Sequence, residues 1–236
     1  MNIVLAHGAW ADGSSWDGVV MNLQAKGYTV DVPPNPLRGL APDSAYLRDY
    51  LKTIQGPIVL AGHSYGGAVI TDAATGNSNV KSLVYVDAFV PDQGESLLQL
   101  LTPKNPEEPG LNPEELFNSV PFPGAPKGVS DLYLKPEVFV GALANGLPKA
   151  EAMALAATQR PIASNALAEK SSAPAWKTIP SWDVIGTEDH ILPQQLQEFM
   201  AKRAGSQITE LKAPHLSLIA QPAAVAKVIV TAANAG

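Results

Sequence analysis

Short apolar runs alternate along this chain with segments in which apolar residues recur every three or four positions. Continuous apolar runs bounded by turn residues are typical of strands that are buried on both faces of a parallel sheet. The longer periodic segments are typical of helices that cover such a sheet with one apolar face. The predicted strands are residues 2–7, 28–32, 57–62, 82–89, 181–186 and 207–211.

Proline and glycine mark the ends of the predicted helices. Pro42 lies in the first turn of one helix, Gly56 follows the end of that helix, and Gly27 follows the end of another. The alternation of strands and helices predicts an α/β fold with a mostly parallel sheet of about six strands, flanked by helices and with its ligand site at the carboxyl ends of the strands. The predicted helices are residues 15–26, 42–55, 67–74, 194–204 and 222–233.

Residues 91–180 interrupt this alternation and are rich in proline. Four periodic segments in this interval open on proline, which is favoured in the first turn of a helix. A stretch of roughly ninety residues is too long for a simple loop in a compact domain. We therefore expect an inserted helical cap at residues 91–180, on a core formed by residues 1–90 and 181–236. The predicted cap helices are residues 113–120, 136–145, 148–159 and 161–170.

The segment G-H-S-Y-G at residues 62–66 lies between a predicted strand and a predicted helix. In this context, the serine of G-x-S-x-G is presented on a sharp turn above the edge of the sheet. Gly62 and Gly66 allow the strand and the helix to pass closely, and the turn aims the backbone N–H of Tyr65 at the same position. Ser64 is therefore the candidate nucleophile, and a purely structural turn is the alternative.

A serine nucleophile needs a base, and four histidines are available. His7 and His63 lie within the turns themselves, too close to the local backbone to reach Ser64, so we expect them to bind backbone groups. We expect His190 to lie at the surface or behind the site. His215 follows the last strand and precedes the last helix, in the chain order Ser, acid, His that accompanies such a turn. His215 is thus the candidate base, and a merely structural histidine is the alternative.

The acid that orients the base has two candidates. Asp189 follows the strand at residues 181–186 within G-T-E-D-H-I-L-P, where Pro193 opens the next helix. Asp87 lies at the end of the preceding strand of the core, and some folds of this class place the acid there. We favour Asp189 and keep Asp87 as the alternative.

The predicted site also needs donors for an oxyanion and a pocket for the substrate. We assign the backbone N–H groups of Tyr65 and Ala9 as oxyanion donors, because Ala9 lies in the turn after the first strand. Trp10 beside it is a pocket wall or a buried staple. In the predicted cap, four apolar residues either line the roof of the pocket or belong to the core. They are Phe139, Leu143, Met153 and Leu155.

Composition excludes several other classes of function. The 236 residues carry a formal net charge of −6 and no cysteine, which argues against a nucleic-acid partner and excludes disulfides and thiolate metal sites. Neither a metal-ligand cluster nor a glycine-rich phosphate loop is present, so we expect no metal and no cofactor. No apolar stretch approaches the roughly 18 residues of a membrane span, and we expect a cytoplasmic protein that does not contact membranes. The oligomeric state is open, with a homodimer as one alternative.

Five motifs together resemble the α/β-hydrolase superfamily. They are H-G-A-W at residues 7–10, G-H-S-Y-G-G, V-D-A-F-V-P-D, T-E-D-H-I-L-P and a late histidine before the final helix. Among the branches of this superfamily, the chain is similar to the small capped enzymes that include plant methyl-ester esterases of the methyl salicylate esterase type, hydroxynitrile lyases and bacterial esterases. The resemblance implies an α/β-hydrolase fold, a Ser64–His215–Asp189 triad and oxyanion donors at Ala9 and Tyr65.

The same resemblance implies hydrolysis of a small-molecule ester. The lyase branch typically has threonine at the position of Gly8 and lysine at the position of Leu216, so both residues of this chain favour ester hydrolysis over cyanohydrin cleavage. Pro214 also departs from the serine or aspartate of many relatives. A serine carboxylester hydrolase that forms an acyl-enzyme is the leading hypothesis. The alternatives are a lactone hydrolase of the acyl-homoserine lactone type, a lyase and a non-enzymatic small-molecule receptor.

Overall fold

The computed structural model describes residues 1–102 and 112–235. Residues 103–111 of the expected cap and residue 236 of the expected core lie outside the described residues. The strands are, in chain order, β1 (Asn2–Ala6), β2 (Thr29–Asp31), β3 (Ile58–His63), β4 (Val80–Val86), β5 (Phe117–Val120), β6 (Asp131–Leu134), β7 (Ile162–Ala163), β8 (Ser181–Gly186) and β9 (Gln207–Leu211).

Six of these strands form a parallel sheet in the order β2-β1-β3-β4-β8-β9. This confirms the expected α/β architecture, and two predicted strands, 181–186 and 207–211, match β8 and β9 at both ends. β4 ends at Val86 instead of residue 89. The reason is local: Asp87 adopts a positive φ of 45°, which ends the extended conformation.

Helices flank this sheet, and their pairing follows from their apolar faces. α1 packs against α11 and α2 packs against α3. Each residue of β3 is buried, because it lies at the centre of the sheet beneath these layers. The helices are α1 (Asp17–Gln24), α2 (Leu40–Lys52), α3 (Tyr65–Ala73), α4 (Leu97–Leu101), α5 (Pro113–Leu116), α6 (Pro136–Val138), α7 (Lys149–Ala157), α8 (Asn165–Ala168), α9 (Gln194–Ala204), α10 (Ser217–Ala220) and α11 (Pro222–Ala235), with 3₁₀ turns at Gly13–Trp16 and Ala175–Lys177 and a π-helical segment at Phe139–Leu143.

The insertion, residues 91–180, contains a small antiparallel sheet besides its helices. Its strand order is β5-β6-β7. The predictions of helices at 113–120 and 161–170 were therefore wrong in part, since both segments contribute a strand. Pro121 disfavours helical backbone at Val120, and the ladder to β6 supplies hydrogen bonds that a continued helix would otherwise have made. The other two predicted helices are present as α6 with the π-helical segment and as α7.

The side chains of two core residues, Trp10 and Arg38, contact the small sheet of the insertion. The indole Nε1–H of Trp10 donates to the carbonyl oxygen of Leu132 in β6 at 2.9 Å, and the Trp10 ring stacks on Phe117 with centroids 5.7 Å apart. Arg38 forms an ion pair with Asp131 at 2.7 Å. Both residues lie in loops at the carboxyl edge of the large sheet, so the insertion lies over that edge. Within the described ranges, no helix combines the length and apolarity needed to cross a membrane.

Candidate active site

Ser64 lies in the one-residue turn between β3 and α3. Its backbone has a positive φ of 52° and a ψ of −122°, a conformation that costs free energy for a residue with a side chain. The neighbouring glycines make the turn possible by their lack of a side chain. A Cβ at Gly62 would lie 2.5 Å from the carbonyl oxygen of Gly66, and one at Gly66 would lie 2.5 Å from that of Ala6. The strand and the helix therefore cross closely enough to hold Ser64 above the sheet.

The structure brings Ser64, His215 and Asp189 together. The Nε2 atom of His215 lies 2.9 Å from Ser64 Oγ, and its Nδ1 atom lies 2.7 Å from Asp189 Oδ2. Because a carboxylate only accepts hydrogen bonds, Nδ1 carries the ring proton and Nε2 is left as the acceptor for the serine hydroxyl. This is the geometry that a base-activated serine requires.

Hydrogen bonds to both carboxylate oxygens hold Asp189 in place in the loop after β8. Oδ1 accepts from the backbone N–H groups of Ile191 at 2.7 Å and Leu192 at 2.8 Å. Oδ2 accepts from the side-chain amide of Gln197 at 2.9 Å as well as from His215. The carboxyl group is fully buried, so these donors replace the water that it would bind in solution.

The buried pair of Asp189 and His215 perturbs the pKa of both groups. Burial acts to raise the pKa of Asp189, but the charge and hydrogen bond of His215 and the two backbone N–H groups outweigh it and lower that pKa. Burial acts to lower the pKa of His215, but the charge and hydrogen bond of Asp189 outweigh it and raise that pKa. Asp189 is therefore held ionised beside a base whose proton affinity is increased.

Two other histidines bind backbone groups, as the sequence predicted. The Nε2–H of His63 donates to the carbonyl oxygen of His215 at 2.9 Å, and burial lowers the pKa of His63 to about 3. His7 donates from Nδ1 to the carbonyl oxygen of Gly8 at 3.0 Å and accepts the backbone N–H of Asn35 at Nε2. Both rings are buried and neutral, whereas His190 is exposed.

The turn after β1 passes directly over the turn of Ser64. A Cβ at Gly8 would lie 2.9 Å from Ser64 Cβ and 3.0 Å from the ring of His63. Ala9 follows in this turn and is buried, while Tyr65 is the first residue of α3, where backbone N–H groups have no acceptor within the helix. The placement suits both residues as oxyanion donors, and that role stays a prediction.

A cavity lies between the core and the insertion, and residues next to Ala9 and His215 in the chain line it. Trp10, which follows Ala9, and Leu216, which follows His215, form its core side. Phe139 and Leu143 line it from the π-helical segment, and their contact with a substrate stays a prediction. The complete lining is Trp10, Ala11, Asp12, Ser14, Ser15, Phe139, Leu143, Leu155, Thr158, Leu216 and Ile219.

Met153 does not line this cavity, so the pocket prediction for this residue was wrong. Its side chain is 55% exposed, while Leu155 two positions further on lines the cavity. In a helix, residues two positions apart point to nearly opposite sides. α7 packs through Ala152 and Leu155, which turns Met153 toward solvent.

Asp87, the alternative acid, does not take the place of Asp189. Its carboxyl group accepts the backbone N–H of Gly186 at 2.7 Å and bonds with the hydroxyl and the backbone N–H of Ser217. The ring nitrogens of His215 are already engaged by Asp189 and Ser64. Asp87 therefore hydrogen-bonds Ser217, two residues after His215, and not the His215 ring.

Sequence patterns did not indicate three of the polar residues that support the site. Gln197 is a polar residue of an amphipathic helix, Ser217 follows the histidine by two positions, and Asp43 accepts the hydroxyl of Tyr65 at 2.7 Å. Each becomes a partner of the site only through tertiary contacts. Of the three, only Gln197 gave a signal in the sequence. It is a polar residue at a position of α9 where the amphipathic pattern predicts an apolar one. Among residues 1–102 and 112–235, no group of three or more histidine, cysteine or carboxylate side chains is arranged to hold a metal ion.

Comparison with known proteins places this geometry in a wider context. Residues 3–228 match the model of a family described as "Alpha/beta hydrolase family". A carbendazim hydrolyzing esterase from a Nocardioides species is 36% identical over 120 residues, which are 45% of this chain and 50% of that protein. A pyrethroid hydrolase from Sphingobium wenxiniae is 27% identical over 99% of this chain and 88% of its own length.

A solved structure shows the same fold. An extracellular alpha/beta-hydrolase from a Paenibacillus species, with structural and functional homology to tobacco salicylic acid binding protein 2, superposes with a TM-score of 0.78 at 23% identity and 98% coverage of both chains. The family match confirms the resemblance to the α/β-hydrolase superfamily, and the named relatives support a carboxylic ester hydrolase. With a family match that spans residues 3–228, this chain belongs to the alpha/beta hydrolase family.

Proposed function

We propose that this protein is a serine carboxylester hydrolase that works through an acyl-enzyme on Ser64. The observation that carries the proposal is the position of His215, which bridges Ser64 Oγ at 2.9 Å and Asp189 Oδ2 at 2.7 Å. A hydroxyl group needs such an oriented base to attack an ester at neutral pH. Besides water, the proposed chemistry uses side chains and backbone groups of the chain.

In the first half-reaction, Ser64 Oγ attacks the ester carbonyl carbon while its proton passes to His215 Nε2. Asp189 stabilises the resulting imidazolium without accepting its proton. The backbone N–H groups of Tyr65 and Ala9 are the proposed donors to the developing oxyanion, and removal of one such donor from a serine hydrolase typically costs about 3 kcal/mol of transition-state stabilisation. His215 then gives its proton to the alcohol that leaves.

In the second half-reaction, water takes the place of the alcohol. His215 Nε2 accepts a proton from the water as its oxygen attacks the acyl carbon, and the tetrahedral intermediate collapses with return of the proton to Ser64 Oγ. The products are a carboxylic acid and a free enzyme. The same residues thus serve both steps, as microscopic reversibility requires.

The cavity indicates the class of ester. Its walls are mostly apolar side chains from the core and from the insertion, which we propose acts as a cap. Such a pocket favours small to medium apolar acyl or alcohol groups. The printed names of two relatives, a carbendazim hydrolyzing esterase and a pyrethroid hydrolase, support a hydrolase of apolar compounds. Leu216, which lines the cavity next to His215, offers no cation for a cyanide leaving group, and this argues against a lyase.

A short-chain p-nitrophenyl ester and a fluorophosphonate probe test the proposal. We expect the wild-type protein to turn over the ester and to carry the probe on Ser64, and we expect Ser64→Ala to lose both properties. Ser78→Ala is the matched control, because Ser78 is an exposed serine in the loop before β4. Turnover and labelling that survive in Ser64→Ala would contradict the proposal. A panel of lactones in the same assay separates lactone hydrolysis from linear ester hydrolysis.

A further inference from the structure

Asp87 is a buried carboxylate that the proposed reaction does not use. It follows the last residue of β4, has no exposed surface and adopts a positive φ of 45°. A non-glycine residue rarely adopts this conformation without a structural or functional reason. Burial of a carboxylate is also costly unless its oxygens are paired. Its partners therefore show what the residue does.

The two oxygens of Asp87 bind two different parts of the site. Oδ1 accepts the backbone N–H of Gly186 at 2.7 Å. Gly186 ends β8, and the loop that carries Asp189 begins there. Oδ2 accepts the backbone N–H of Ser217 at 3.3 Å and makes a short hydrogen bond with its hydroxyl. Ser217 lies two residues after His215 and begins α10. One carboxyl group therefore joins the start of the loop that carries Asp189 to the end of the loop that carries His215.

Close packing at Gly186 supports this connection. A Cβ at Gly186 would lie 2.9 Å from Asp87 Oδ1, 2.7 Å from the carbonyl oxygen of Ala213 and 2.9 Å from that of Pro214. Asp87 and the residues just before His215 thus pack closely against Gly186, the last residue of β8, which has no side chain. The two loops meet there with little free space between them.

We propose that Asp87 is a positioning residue of this site: its carboxyl group holds the loops of Asp189 and His215 at a fixed separation. The kinetic part of this inference rests on the proposed ester hydrolase. The ionisable groups that act on Asp87 are His215 and Asp189, in the loops after β9 and β8, and Asp87 acts in turn on Asp183 of β8.

The charge of Asp87 distinguishes this role from simple packing. Burial raises the pKa of Asp87 to about 7, the nearby Asp189 adds to this effect, and His215 and the hydrogen bonds oppose it. In return, the charge of Asp87 raises the pKa of His215. Replacement of the carboxylate by a neutral group of the same shape should therefore lower the pKa of His215.

Asp87→Asn tests the inference, with Asp183→Asn as the matched control. Both residues are fully buried aspartates, but Asp87 follows the carboxyl end of β4, whereas Asp183 lies within the neighbouring strand β8. We expect Asp87→Asn to lower kcat about tenfold with little change in KM, and to move the acid limb of the pH profile of kcat/KM to lower pH. Asp183→Asn should leave kcat and the acid limb unchanged.

NMR titration of the His215 ring measures the same effect without any substrate. The pKa of His215 should be lower in Asp87→Asn than in the wild type and in Asp183→Asn. Equal pKa values and equal kcat in the two variants would overturn the inference. Because this titration does not depend on turnover, it separates failure of the inference from failure of the proposed function, which the labelling of Ser64 reports.

Discussion

His63, the residue before the proposed nucleophile, donates its Nε2–H to the carbonyl oxygen of His215 at 2.9 Å. The two rings also lie close, with centroids 4.9 Å apart. One hydrogen bond thus connects the turn of Ser64 to the backbone of its base, and both partners are buried. The histidine of G-H-S-Y-G therefore has a role in the alignment of the site that the motif itself does not specify.

Loss of the hydrogen bond between His63 and the carbonyl oxygen of His215 should lower kcat more than it changes KM. In His63→Phe the carbonyl oxygen of His215 is left buried without a donor, which typically costs about 1–3 kcal/mol. We expect kcat to fall by tenfold or more with little change in KM. Steady-state kinetics with a p-nitrophenyl ester and thermal unfolding of the same samples measure the two effects. His63→Gln, whose amide N–H can replace the Nε2–H, should retain most of the activity, and equal losses in both variants would contradict this explanation.

The pH dependence of activity should follow the pair of His215 and Asp189. His215 must be neutral to accept the proton of Ser64, and its pKa is raised above 6.5 by Asp189. The expected kcat/KM therefore rises with pH through a value above 6.5. Asp189→Asn should lower kcat by about 10⁴-fold, because the ring then loses its orienting acceptor. Circular dichroism shows whether this variant is folded, and an acid limb at or below pH 6.5 in the wild type would argue against the assignment.

The size of the cavity should determine the preferred ester. Leu143 is buried in the cavity wall, so Leu143→Ala adds space beside the site. We expect this variant to favour bulkier acyl groups over acetate by roughly tenfold in relative kcat/KM. Met153→Ala is the control, because Met153 points to solvent from α7 of the same insertion. A change in preference of the same size in both variants would place the substrate elsewhere.

Titration of Asp183 should lower the free energy of unfolding as the pH rises from about 4 to about 7. Burial raises its pKa from 3.8 to about 7, and its Oδ2 atom is buried without a hydrogen-bond partner. In this window the native state holds a proton that the unfolded state has lost, so unfolding becomes easier as pH rises. Above pH 7 the total effect is on the order of 4 kcal/mol.

Urea unfolding across pH 4–8 checks this effect. In Asp183→Asn the decrease in the free energy of unfolding over this range should be smaller than in the wild type, since the side chain no longer titrates. Asp49→Asn is the control, because Asp49 is exposed and pairs with Lys52 at the surface. Parallel pH curves for the wild type and Asp183→Asn would show that Asp183 is not the responsible group.

Local patterns were sufficient to predict the large sheet and to place the candidate catalytic residues near each other. Ser64, Asp189 and His215 each follow a strand, and the carboxyl ends of parallel strands meet at one edge of a sheet. The small sheet of the insertion was not predictable in this way, because β5 and β7 depend on a partner strand that is distant in sequence. Asp87 and Met153 illustrate a second limit. Their neighbours along the chain are known from the sequence, but the direction of each side chain depends on the packing of the whole domain.

The contacts of Trp10 and Arg38 with the small sheet have a consequence for protein engineering. Exchange of the insertion for that of a relative would be a natural route to new substrates, since the proposed nucleophile, acid and base all lie in the core. The grafted segment would still have to provide an acceptor for the Trp10 indole, a ring at the position of Phe117 and a carboxylate for Arg38. Successful chimeras of this protein should therefore take from the relative both its insertion and the residues that correspond to Trp10 and Arg38.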